Sequence, residues 1–121
     1  MSLIALLIDD SMIIRHTVGR FLEARGFSVE TATDGVAALE TLKIVRPDII
    51  FTDLKMPRLD GYALIDALKA NPETAGIPVL VLAAKPLSGD LKETGAHAII
   101  YKDLNVEAQL IRALESLFPS R

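Results

Sequence analysis

Five short segments of this chain are apolar enough that a buried sheet is the natural place for them. Ile4–Ile8, Ser28–Ala32, Asp48–Thr52, Pro78–Ala84 and Ala98–Tyr101 read as strands, and three of them are continuously apolar. A strand that is wet on one face alternates polar and apolar side chains, so an unbroken apolar run points to a parallel strand covered on both faces. The segments between the strands carry helical spacing. Ile14, Val18, Phe21 and Leu22 share one face of a helix that Ser11 can cap and Gly26 can end. Asp34 is placed to cap a second helix carrying Ala38, Leu39 and Leu42, with Arg46-Pro47 as its stop. Asp60 opens a third with Leu64, Ile65 and Leu68 inward, and Asn105 opens the last with Leu110, Ile111, Leu114 and Leu117 inward. Between Ala84 and Gly95 only Gly89–Thr94 suits a helix, a length that barely nucleates alone.

Strand and helix alternating in this way predict an α/β fold. The expected form is a doubly wound five-stranded parallel sheet in the flavodoxin-like order 2-1-3-4-5, with five helices of which the fourth is short. At 121 residues the chain makes one domain, 1–121. Half the residues are apolar and 24% are charged, which excludes intrinsic disorder. Thirteen Lys and Arg against sixteen Asp and Glu give a net charge of −3, so no basic footprint attracts nucleic acid or anionic lipid. Without cysteine there is no disulfide scaffold, thiolate metal site or cysteine nucleophile. The longest apolar runs, Leu3–Ile8 and Val79–Ala84, fall far short of the ~20 residues that span a bilayer. Met-Ser-Leu lacks the basic segment of a signal peptide, so the expected location is cytoplasmic. Met1–Leu3 is compatible with a leader appended to an excised domain.

In a sheet of this order, ligands bind beyond the carboxyl ends of the strands where the order reverses, here between the first and third strands. Asp9 and Asp10 end the first strand and Asp53 ends the third, so three carboxylates converge on one crevice. Like charges ~4 Å apart repel by about 4 kcal/mol per pair at an effective dielectric near 20. A cation is therefore needed. An all-oxygen site with few protein ligands favours Mg²⁺, which keeps several waters and accepts a phosphate oxygen. Lys102, after the fifth strand, is the natural second cation. His16 and His97 stand alone and read as surface residues.

These residues resemble the receiver domains of two-component response regulators, a family that includes the single-domain chemotaxis regulator. The resemblance covers the whole chain and rests on Leu-Ile-Asp9-Asp10-Ser, Asp53-Leu-Lys-Met56-Pro57-Arg-Leu-Asp-Gly61, Gly95-Ala96 and Lys102. It implies that Asp53 is the phosphoacceptor, Asp10 a direct Mg²⁺ ligand, Asp9 a ligand through water, and the Lys55 carbonyl the remaining protein ligand. Lys102 would pair with the phosphoryl oxygens. The donor would be a phosphohistidine on a sensor histidine kinase or phosphotransfer protein, since the chain carries no Gly-x-x-x-x-Gly-Lys nucleotide loop. The chain would then be no enzyme in the turnover sense but a substrate that assists its own modification. It would signal through a surface presented to a downstream protein, with homodimerisation left open.

Three positions depart from the family pattern. Ala83 stands where a phosphoryl-binding Ser or Thr is usual, Ile99 where a switching aromatic is usual, and Asp103 where Pro follows the lysine, so a trans bond is expected there. These departures predict weak coupling of the site to the surface that normally reports phosphorylation. Lys55 and Lys85 flank the pocket as modulators of the acyl phosphate, or as ordinary solvated lysines. Two rival readings remain open at this point. One is a receiver fold that signals without phosphorylation. The other is a phosphohydrolase, disfavoured because Lys55 stands where a second acid would be needed.

Overall fold

The computed structural model describes residues 3–84, 95–102 and 105–119. Five strands, β1 (Leu3–Ile8), β2 (Phe27–Ala32), β3 (Ile49–Asp53), β4 (Val79–Ala83) and β5 (Ala98–Tyr101), form one sheet in the order β2-β1-β3-β4-β5. Every neighbouring pair is parallel, with Ile8 opposite Thr52, Asp53 opposite Leu82, and Ala83 opposite Tyr101. This is the expected flavodoxin-like arrangement. Four helices are seen among the described residues: α1 (Met12–Ala24), α2 (Gly35–Leu42), α3 (Gly61–Ala70) and α4 (Val106–Leu117). The short helix expected over Gly89–Thr94, Lys85 and the bond to Asp103 lie outside the described residues.

The alternation of side chains along the apolar strands builds two cores. Leu6, Ile8, Ile50, Val79 and Val81 face α2 and α3, meeting Ala38, Leu64, Ile65 and Leu68. Ala5, Leu7, Ile49, Phe51, Leu80 and Leu82 face α1 and α4, meeting Val18, Leu22, Leu110 and Leu114. Both faces of β1, β3 and β4 are thus dry, which is why these runs carry no polar alternation. Ile111 is half-buried, a weaker core position than its spacing suggests.

The four expected caps are in place, with Ser11, Asp34, Asp60 and Asn105 each accepting the N–H three residues on. At the far end of α1, Gly26 takes φ +95, a left-handed value that ends the helix at no steric cost. α2 stops earlier than its Arg46-Pro47 signal. It ends at Leu42, because Lys43, Ile44 and Val45 turn back onto the carbonyls of Glu40 and Thr41. β3 begins one residue late because Asp48 uses its carboxylate to accept the Ile4 N–H at 2.8 Å.

Candidate functional site

The crevice at the carboxyl edge is assembled by strand ends. Asp9 follows β1 and donates its N–H to Ala32 O at 3.1 Å, which places it over the sheet. Its side chain is fully buried, whereas Asp10 next to it is exposed, because successive residues leaving a strand point to opposite sides. Asp9 Oδ1 accepts the Ser11 N–H at 2.8 Å, and Arg15 on α1 donates from Nη1 to the Asp9 carbonyl at 2.7 Å. Asp53 ends β3, and its Oδ1 accepts from Leu54 N at 2.8 Å and from Lys55 N at 3.4 Å. Its other oxygen is turned to Lys102, whose Nζ lies 3.3 Å from Asp53 Oδ2 and 2.8 Å from Asp9 Oδ2.

One carboxylate oxygen each from Asp9, Asp10 and Asp53 lie within 4.8 Å of one another. Among the described residues, Lys102 pairs with two of these three acids, Asp9 and Asp53. Asp9 Oδ2 is buried and meets the Lys102 ammonium at 2.8 Å, with no other partner among the described residues. A buried carboxylate oxygen with spare acceptor capacity, in a cluster still net negative, suits a hard divalent cation carrying its own waters. The residues present therefore fit Mg²⁺.

The same crowding sets the protonation states. Burial, and then the Asp9 charge, push the Asp53 carboxyl above its ordinary 3.8, against the pull of Lys102 and the Lys55 N–H. Burial works to lower Lys102, but the hydrogen bond and charge of Asp9 and the charge of Asp53 outweigh it, leaving Lys102 above 10.5 and fully charged at neutrality. Asp34 moves the other way, held below 3.8 by the Ala37 N–H, against its burial, and by Arg58.

These shifts give a pH profile for the metal-free fold. Asp53 binds its proton more tightly folded than unfolded, so it adds stability as pH falls through its raised folded value. Asp34 contributes stability that is present above 3.8 and is lost as pH falls through its depressed folded value. In the presence of a chelator, the denaturant midpoint should rise on mild acidification and fall only in stronger acid. Asp53→Asn should remove the rise, and a steady fall from neutrality in the unaltered protein would contradict the assignment.

The loop after Asp53 is tied down by contacts that spacing did not reveal. Gly61 donates to Leu54 O at 2.9 Å, and a Cβ on it would stand 2.8 Å from Leu54 Cα and collide with the Asp53 carbonyl. Arg58, at φ 69, forks onto the buried Asp34 with Nε to Oδ2 at 2.9 Å and Nη2 to Oδ1 at 3.0 Å, and Gly35 donates to Leu59 O at 3.2 Å. Asp34, read as a cap alone, thus also clamps the loop that carries Lys55. The clue in the sequence was a charged Arg58 between Pro57 and Gly61, but its partner lies 24 residues away.

The other expected site residues fall as follows. Lys55 is exposed, with its N–H on Asp53. Ala83 is buried at the end of β4 and Ile99 is half-buried in β5, while His16 and His97 are exposed, as read from the sequence. A groove of about 350 Å³ between the ends of α2 and α3, lined in part by Leu42, Arg46, Leu68 and Ile77, contains none of the acids. Among the described residues no helix is long and apolar enough to cross a membrane.

The parallel sheet thus gathers three acids and a lysine at its carboxyl edge, and with that geometry in hand the chain can be set beside known proteins. Residues 5–115 match the response regulator receiver domain, and the chain belongs to that family. It is 36% identical to Protein PilG of Pseudomonas aeruginosa over 95% of this chain and 87% of that protein. It is 40% identical to the gliding motility regulatory protein of Myxococcus xanthus over 93% of this chain, which spans only 15% of that larger protein. Among solved structures, the chemotaxis response regulator CheY4 of Vibrio cholerae superposes with a TM-score of 0.86 at 29% identity, covering 97% of this chain and 99% of that one. The receiver domain of sensor histidine kinase PA1611 of Pseudomonas aeruginosa, with a magnesium ion in its active-site cleft, gives 0.87 at 26% identity, covering 99% and 100%.

Proposed function

We propose that this single receiver domain, spanning 1–121, accepts a phosphoryl group on Asp53 from a phosphohistidine of a sensor histidine kinase or phosphotransfer protein in the cytoplasm. The observation that carries the reading is the divided use of the Asp53 carboxylate. Oδ1 is anchored by the Leu54 and Lys55 N–H groups, while Oδ2 faces the crevice beside the Lys102 ammonium. An oriented oxygen next to a fixed positive charge is what in-line transfer to a carboxylate needs.

In the step itself, Asp53 Oδ2 forms the new O–P bond, the N–P bond of the phosphohistidine breaks, and its electron pair returns to the imidazole. Lys102 is near enough to pair with the transferred oxygens. Asp10, Asp53 and the Lys55 carbonyl would hold Mg²⁺ directly, with Asp9 holding it through water. The ion, when bound, supplies neutralisation of the phosphoryl charge. The chain is modified once rather than turning over. Met12 and Ile13, each 75% exposed at the start of α1 beside Asp10, give the donor protein an apolar foothold at the crevice. Ala83 offers no hydroxyl and Ile99 no ring to carry the change outward, so the state passes to a downstream protein with weak movement of the β5 surface.

Mass spectrometry of the intact protein after a small acyl phosphate donor and Mg²⁺ should show one phosphoryl increment, lost when a chelator is added. Mg²⁺ at a hundredfold over its dissociation constant should stabilise the fold by about 2.7 kcal/mol. No increment, or a melting temperature indifferent to Mg²⁺, would sink the reading.

A further inference from the structure

Lys102 has to be aimed at two carboxylates from the last residue of a loop-bound strand end, and β5 is the edge of the sheet. An edge strand leaves half of its backbone groups unpaired. Lys102 N–H reaches β4 at Ala83 O, 2.8 Å away, so in a parallel ladder the N–H and C=O of Tyr101 face the open side. Both are met there by one side chain. Gln109 on α4 accepts the Tyr101 N–H on Oε1 at 2.8 Å and donates from Nε2 to Tyr101 O at 2.9 Å. A further donation from Nε2 to Asn105 O, at 3.4 Å, ties the same amide to the start of α4. The side chain thus stands in for a missing sixth strand over one residue.

The consequence falls on Lys102. The Tyr101 carbonyl and the Lys102 N–H belong to one rigid peptide unit. That unit is held on one side by Ala83 at the end of β4 and on the other by Gln109 on α4. With the plane fixed at both ends, the direction in which the Lys102 side chain leaves the backbone is set.

We propose that Gln109 is a positioning residue for Lys102, holding the peptide that aims its ammonium at Asp9 and Asp53. The inference rests on the phosphoacceptor reading for its kinetic consequence, though not for its geometry. Gln109→Met keeps length and helix preference but removes both hydrogen bonds. Gln109→Glu keeps the acceptor for Tyr101 N–H and loses the donor to Tyr101 O, and it carries the same test if the Met variant fails to fold.

The test has three readouts: amide hydrogen exchange at Tyr101, the side-chain ammonium NMR signal of Lys102, and the phosphorylation rate at saturating Mg²⁺ with the half-saturating Mg²⁺ concentration. In the unaltered protein Tyr101 N–H should be protected despite its edge position. In Gln109→Met its exchange should quicken by at least about tenfold while Ile100 is unchanged, and the Lys102 signal should shift or broaden. Phosphorylation should slow about tenfold with Mg²⁺ dependence unaltered, since misaiming a positioned group costs rate without touching the metal ligands. An unprotected Tyr101 in the unaltered protein, or a variant with wild-type rate and Lys102 signal, would overturn the inference. So would a rate loss matched by an equal loss of Mg²⁺ affinity, which would place the effect on the acid pocket as a whole. If the unaltered protein takes no phosphoryl group at all, the phosphoacceptor reading fails instead, and the exchange and ammonium signals still decide the role of Gln109.

Discussion

Asp53→Asn is expected to abolish the phosphoryl increment while making the metal-free fold more stable. The two effects have one origin. Asp53 sits half-buried beside the fully buried Asp9, and both burial and that neighbour oppose its charge. The amide is close to isosteric and retains an oxygen for the Leu54 N–H now bound at 2.8 Å, so the β3 end should keep its shape. What is lost is the anionic oxygen facing Lys102 at 3.3 Å, the proposed nucleophile, and with it the repulsion against Asp9. A higher denaturant midpoint without metal, a much reduced response to Mg²⁺, and no mass increment should therefore appear together. Persistence of the increment would show that another group accepts the phosphoryl, whereas loss of stability would show that the Lys102 contact to Asp53 outweighs the acid repulsion.

The parts of this site that a reader could find in the sequence are those fixed by the backbone's repeating geometry. Unbroken apolar runs mark buried parallel strands, and the parallel order puts the residues after β1, β3 and β5 on one edge. Asp9, Asp10, Asp53 and Lys102 could therefore be brought together before any contact was known. The caps at Ser11, Asp34, Asp60 and Asn105 were legible because each acts three residues away, within one helical turn.

What could not be read depends on loops and on single side-chain directions. The fork of Arg58 onto Asp34 joins two loops through a left-handed residue, and neither periodicity nor composition encodes such a pair. Gln109 looks like an ordinary polar residue of an amphipathic helix until the open edge of β5 is placed against it. The contrast between buried Asp9 and exposed Asp10 also needed coordinates, since the residues alone mark both as strand-end acids and only the family resemblance gave them different roles. That contrast matters most for the lysine that faces them.

Lys102→Ala should strongly destabilise the metal-free fold. Asp9 is fully buried, its Oδ1 has the Ser11 N–H, and among the described residues its Oδ2 has only the ammonium at 2.8 Å. Removing one partner of a buried ion pair leaves the other charge uncompensated and costs about 3–5 kcal/mol. The loss here should lie near the lower end, about 3 kcal/mol, because the crevice is open to water at the exposed Asp10. That is a large part of the 5–15 kcal/mol that typically holds a domain together. Two further measurements separate this cause from simple loss of packing by the lysine stem. Mg²⁺ should recover much of the lost stability, since a divalent cation neutralises the same carboxylates, whereas a packing defect would not respond to metal. The double variant Asp9→Asn with Lys102→Ala should be more stable than Lys102→Ala alone, because the buried charge goes with its partner. A loss below about 1 kcal/mol, indifferent to both Mg²⁺ and the second substitution, would show that the pair behaves like a solvated surface contact and that Asp9 is balanced from elsewhere.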